Sequence, residues 1–308
     1  MKQKALRSNR IWSIVMTIVC VIYMYPIFMV LMNSLKVESA ISTSTAFDLP
    51  NAETFAGLAN YENAIGSQGF LLSLFYTAFI TITSVLAILI FCSMFAWYIT
   101  RVNNRFTKIL YLLCAFSMVV PFQMVMFTLS SLADTLHLNT PWVLWIIYLG
   151  FGAGLAVFMF CGFMRSVPID MEEASMIDGC SPIQTYFHIV FPLLRPTMIS
   201  VAILEAMWIW NDYLLPTLIL DIQKYRTISM LIQFFKGSYG RVEMGPMMAC
   251  IMLAILPIIV VYLLAQKHII KGVVAGAVKG WAASGERPRR SPVPFGCAWI
   301  FERDWGVV

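Results

Sequence analysis

The sequence predicts an all-α polytopic membrane protein with six transmembrane helices. Three observations carry this. Of the 308 residues, 60% are hydrophobic and only 12% charged, with mean hydropathy +0.78. A water-soluble domain carries about 25% charged residues, and this chain has more apolar surface than such a domain could hide. Six stretches are apolar enough to cross a hydrocarbon core, which takes about 20 residues per helix. They fall at approximately 11–32, 70–99, 109–131, 142–164, 197–220 and 246–266. The third observation is a polar elbow at 165–195, between the fourth and fifth stretches, rich in helix start and stop signals.

The first stretch follows Lys2, Lys4, Arg7 and Arg10, a pattern shared with signal peptides. Its apolar run is too long for one, and Tyr25-Pro26 interrupts it without a cleavage site. It reads as an uncleaved membrane helix. The segment from Ser34 to Gly69 is polar, contains Pro50, and has an amphipathic piece at Asn60 to Ile65. The segment 221–245 is a second sizeable loop on the same side and carries Gly237 to Gly240. Both are either docking loops or plain connectors. Pro26, Pro121, Pro216 and Pro257 lie within or near the apolar runs. A membrane helix tolerates proline where neighbours or water satisfy the freed backbone groups. Pro121 with Gln123, and Pro216 after Trp210 to Tyr213, are candidate kinks along a pathway; kinks that serve packing alone look the same in sequence.

Orientation follows from Lys and Arg. With the N-terminus inside, twelve basic residues face the cytoplasm: Lys2, Lys4, Arg7, Arg10, Arg101, Arg105, Lys108, Arg165, Arg195, Lys267, Lys271 and Lys279. Five face outward: Lys36, Lys224, Arg226, Lys236 and Arg241. Six crossings return both termini to the cytoplasm, and the elbow faces the cytoplasm too.

The elbow is a helix–Gly–helix unit. Pro168 and Asp170 suit a first helical turn, where a missing N–H costs nothing and a carboxylate meets the positive helix end. Ala174 and Ser175 are small and would let a partner surface approach. Gly179 stops the helix in a left-handed conformation that glycine adopts cheaply. Ser181 and Gln184 form a capping box for the next helix, and Pro192 and Pro196 end it.

The sequence excludes several chemistries. It has no G-x-x-x-x-G-K-[ST] phosphate loop, hence no cradle for ATP hydrolysis. His137, His188 and His268 are scattered, and no H-E-x-x-H occurs. Seven cysteines form no C-x-x-C pair, which leaves no disulfide framework or zinc site. The net charge of +5 is spread over separate loops, so nucleic acid is not an expected partner. In the fifth stretch Glu205, Trp208 and Asp212 are spaced three and four apart and share a helix face. An ionisable residue inside a span faces a partner or a water-filled cavity. Carboxylates accept hydroxyl protons and indoles offer an apolar face, which suits a sugar path. For Asn211 and Asp212, capping and bracing near the outer interface is the stronger reading; for Glu205 the pathway reading leads.

The elbow also carries a resemblance. Glu173, Ala174 and Ser175, then Gly179, then Ile189, Phe191 and Pro192 match the EAA loop of permease subunits of binding-protein-dependent ABC importers. Ser175 and Phe191 are mild departures from Ala and Leu. Asn33 to Lys36, Trp210 to Pro216 and Ile269 to Gly280 resemble the maltose-type sugar branch, so the likeness spans roughly 11–280. It implies a MetI-like permease domain over 1–280, a coupling helix, and one half of a pore in the cytoplasmic (inner) membrane of a bacterium or archaeon. It implies ATPase contact through Glu172, Glu173, Ala174, Ser175, Asp178, Gly179, Ile189 and Pro192. Beside it, the residues themselves suggest a substrate path at Gln123, Glu205, Trp208, Asn211 and Asp212. The implied partners are a second permease, two ATPase subunits that bind the ATP and Mg, an extracytoplasmic binding protein and membrane lipid; the chain itself needs no cofactor. The substrate class is sugars or oligosaccharides. Glycerol phosphate or a polyol is the runner-up, and an ATP-independent channel or secondary carrier the reading from another class. Residues 281–308 change character abruptly and read as a disordered extension or a reading-frame artefact.

Overall fold

A computed structural model of the chain describes residues 2–66, 69–102, 104–235 and 243–282. These residues are helical or irregular, and no strand occurs among them beyond an isolated bridge between Lys36 and Phe55. The helices are α1 (Lys2–Ser34), α2 (Glu38–Thr43), α3 (Ala59–Gly66), α4 (Phe70–Arg101), α5 (Arg105–Ser117), α6 (Phe122–Thr135) and α7 (Trp145–Met164). They continue as α8 (Asp170–Ile177), α9 (Pro182–Leu193), α10 (Arg195–Asn211), α11 (Leu214–Ile219), α12 (Ile228–Phe235) and α13 (Met244–Ala282). Wide π turns interrupt α4 at Ile88–Cys92 and α9 at Tyr186–Val190.

Among the described residues four helices are long and apolar enough to cross a membrane unaided: α4, α7, Trp12–Ser34 of α1 and Met244–Leu264 of α13. Two further runs are broken. The expected span at 109–131 is the pair α5 and α6, bent by 104° at residues 118–121. Pro121 lacks the N–H that would continue α5, and its extended φ and ψ start a new direction. The expected span at 197–220 begins at Arg195 but ends at Asn211, where Asp212 turns extended. Its apolar length is completed by α9, bent 76° from α10. Pro192 lies inside α9 and Pro196 in the first turn of α10, so the elbow's second helix ends between them, at Leu194.

The centre of the fold is α7. It packs against α4, α5 and α10. In lipid there is little gain from hiding one aliphatic group against another, so close approach of backbones carries helix association. Gly152, Gly154 and Ala156 provide that approach. A Cβ at Gly152 would lie 2.6 Å from Ile88 Cδ1 and 3.0 Å from Glu205 Oε2. One at Gly154 would lie 2.7 Å from Met118 Cγ, on the opposite neighbour. Ile88, Phe160, Met164, Tyr186, Leu194 and Val201 continue this core from the helices into the elbow.

The expected amphipathic piece at Asn60 to Ile65 is α3. Asn60 Nδ2 donates to Ser34 O and Lys36 O, both at 2.8 Å, and Ser34 shares a 2.8 Å bond with Tyr61. Glu38 accepts the N–H groups of Met244 and Gly245, both at 2.9 Å, so a carboxylate caps the positive end of α13. Lys36 is not a surface charge: it is 1% exposed. Gly237 to Gly240 and residues 283–308 lie outside the described residues, whereas Trp281 and Ala282 continue α13.

Candidate functional site

Local chemistry shapes the elbow as its sequence demands. Asp170, Glu172 and Glu173 occupy the first turn of α8, near its positive end. Gly179 has φ +89° and ends the helix. Its N–H donates to Met176 O and the next N–H, from Cys180, to Ser175 O, each at 3.1 Å. That pair of bonds is the Schellman stop. Ser181 and Gln184 then start α9 through reciprocal bonds of 2.8 and 3.4 Å.

A second set of contacts fixes the elbow to the membrane helices. The Glu172 carboxylate is 3% exposed. Arg101 donates to it from Nη2 at 2.6 Å and from Nε at 3.0 and 3.1 Å, and Trp97 Nε1 donates at 2.8 Å. Arg101 Nη2 also reaches Val167 O at 3.1 Å. Ser175 and Thr185 share a buried 2.9 Å bond that ties α8 to α9. Tyr186 is fully buried; its hydroxyl shares a 2.6 Å bond with Ser93 and its ring centroid is 5.5 Å from that of Trp97.

The residues expected at a partner surface therefore divide. Glu172 and Ser175 are buried and bonded within the chain. Glu173, Ala174, Asp178, Gly179 and Pro192 are exposed, and Ile189 is half-buried. Apolar side chains missed in the sequence stand beside the exposed set: Ile177 is 85% exposed, with Met176 and Ile183 also open. Their signal was an isoleucine directly before Asp178-Gly179 in a polar loop. Arg101, read only as an orienting charge, and Trp97, Ser93 and Tyr186 were missed because their partners are some seventy to ninety residues away.

In the fifth-span stripe Glu205 and Asp212 face α7, whereas Trp208 stands partly open. Glu205 is 2% exposed, beside Gly152 and Ile88, and its Oε1 has no hydrogen-bond partner. That departs from a carboxylate lining water. The cause is the rotation of α10, which turns its 205–212 face onto the small residues of α7. Tyr148, one turn from Gly152, donates to Asp212 Oδ2 at 3.0 Å, and its ring meets Trp208 edge-on at 5.6 Å. Asp212 Oδ1 accepts from Leu214 N at 3.0 Å and starts α11, so it caps and braces. Asn211 is exposed and folds back onto Met207 O. Trp208 is 42% exposed, and Gln123 is exposed on α6. Among the described residues no group of His, Cys, Asp or Glu is placed to hold a metal.

Comparison with known proteins matches this architecture. Residues 89–274 match the family described as binding-protein-dependent transport system inner membrane component. The chain is 37% identical over 262 residues to the probable starch degradation products transport system permease protein AmyC of Thermoanaerobacterium thermosulfurigenes, covering 85% of this chain and 94% of that one. It is 32% identical over 284 residues to the multiple sugar-binding transport system permease protein MsmG of Streptococcus mutans, covering 90% and 100%. Its fold resembles a chain in the crystal structure of a bacterial ABC transporter involved in the import of the acidic polysaccharide alginate. That likeness has TM-score 0.68 and 23% identity, and covers 85% of this chain and 97% of the other. The chain belongs to the family of binding-protein-dependent transport system inner membrane components, whose members are permease subunits and not themselves enzymes.

Proposed function

We propose that the chain is one half of the translocation pore of an ABC importer for sugars or oligosaccharides. The relatives AmyC and MsmG, named for starch degradation products and multiple sugars, support this substrate class. The α5–α6 pair counts as one crossing and α10, entered from the elbow helix α9, as another, which gives six and places both termini in the cytoplasm. The elbow is the coupling element. It docks on an ATPase subunit that binds ATP and Mg, and the whole assembly holds two ATPase subunits, a second permease and an extracytoplasmic binding protein.

The observation that carries the coupling role is the two-sidedness of the elbow. Glu172 and Ser175 are tied inward, while Ile177 stands bare at the tip between Glu173 and Asp178. An apolar tip rimmed by polar groups is the signature of a docking surface. Glu173 and Asp178 would meet basic residues on the partner. Trp208, Asn211 and Gln123 are the side chains left open for a substrate path; Glu205 and Asp212 hold α10 against α7. Copurification with an ATPase, followed by oligosaccharide uptake in proteoliposomes, tests the reading. Uptake should require the binding protein and internal ATP. Uptake that continues without ATP would assign the chain to channels or secondary carriers.

A further inference from the structure

At the elbow end of the helices lies a cavity separate from the coupling tip and the α10 stripe. Its volume is about 340 Å³. Ile99 and Thr100 of α4, Thr107, Lys108 and Tyr111 of α5, and Cys161 and Arg165 at the end of α7 line it. No carboxylate lines it, and neither Lys108 nor Arg165 has an ion-pair partner among the described residues. Arg101, one residue from Thr100, is already committed to Glu172. The Thr100 and Thr107 hydroxyls donate to Ala96 O and Val102 O, so the two unneutralised cations are what the cavity offers an anion. Thr107 and Lys108 also lie in the first turn of α5, where the helix dipole favours an anion.

We propose that this cavity binds the phosphate of an anionic phospholipid headgroup. Three helices end here together: α4 at Arg101, α5 begins at Arg105, and α7 ends at Met164. That is where a bilayer's headgroup layer lies. Basic pockets between membrane helices at this depth suit anionic headgroups. A free phosphate would share the chemistry, but the surface beyond the cavity favours the lipid. Ile109, Leu112, Leu113 and Phe116 of α5 are each more than half exposed and run away from Lys108 toward the membrane interior. They offer the acyl chains an apolar track continuous with the headgroup site.

The full chain is reconstituted into nanodiscs of equal phosphatidylglycerol and phosphatidylcholine, then released, and its retained lipid is read by native mass spectrometry. Phosphatidylglycerol should be retained in preference. Lys108→Gln or Arg165→Gln should each lower that retention about five-fold, and the pair about thirty-fold. Lys108→Arg and Arg165→Lys should keep it, which separates lost charge from lost fold. Arg105→Gln, on the same helix but outside the cavity, should matter less. Equal retention of both lipids would overturn the proposal. So would an unchanged double variant, an Arg105→Gln effect as large as that of Lys108→Gln, or displacement of the lipid by inorganic phosphate alone.

Discussion

Arg101 holds Glu172 through both carboxylate oxygens, and in doing so joins the end of α4 to the elbow seventy-one residues later. Trp97 closes the same carboxylate from the side. The pair is largely buried, at 16% and 3% side-chain exposure. Removing one partner of a buried pair costs about 3–5 kcal/mol, because the other charge is left without compensation. Glu172→Ala should therefore lower the unfolding temperature and loosen the elbow. Adding Arg101→Met should restore part of the loss. Thermal unfolding of the four proteins in detergent checks the cycle; additive losses would mean the two residues do not act on each other.

Gly179 meets no atom within 4 Å of a built Cβ, so space is not what requires glycine there. The requirement is φ +89°. Gly179→Ala should cost about 1 kcal/mol in backbone strain and weaken ATPase association. Gly179→Asn should be milder, since asparagine tolerates this region. Equal effects of Ala and Asn in a copurification assay would point to steric exclusion by the partner instead.

Glu205 and Trp208 should separate in function. Glu205→Gln keeps the volume beside Gly152 and should alter the amount of complex assembled, with transport per complex near wild type. Trp208→Ala removes a partly open ring and should lower transport per complex. Uptake normalised to assembled complex distinguishes them. A normal per-complex rate for Trp208→Ala would assign the whole stripe to packing.

Topology can be read by thiol labelling. In sealed cells an impermeant reagent should mark Lys224→Cys, whose side chain is 73% exposed, and should leave Cys180 unmarked. Labelling of Cys180 from outside would reverse the orientation.

The helical class and the elbow's local design were legible in sequence because they rest on short-range physics. Apolar length, the Gly179 stop and the Ser181–Gln184 box need no distant partner. Pro121, and Pro192 with Pro196, marked where the breaks at 118–121 and Leu194 fall, but apolar length and proline do not report the direction of the bend. Glu205 illustrates the same limit. Its spacing identified the face it shares with Trp208 and Asp212, but Gly152 and Tyr148 on α7 decide what that face meets. Glu172 likewise read as a surface acid until Arg101 and Trp97 were brought to it by tertiary packing.

The central claim is that the bare tip of the elbow is covered by an ATPase subunit. Cross-linking from Ile177→Cys in a Cys180→Ser background, within the assembled transporter in membranes, tests it most directly. A short bifunctional reagent should join position 177 to the ATPase subunit, and the product should diminish when Glu173→Lys weakens docking. A cysteine at 177 that stays fully open to small thiol reagents in the assembled, active transporter, with no cross-link to the ATPase, would contradict it.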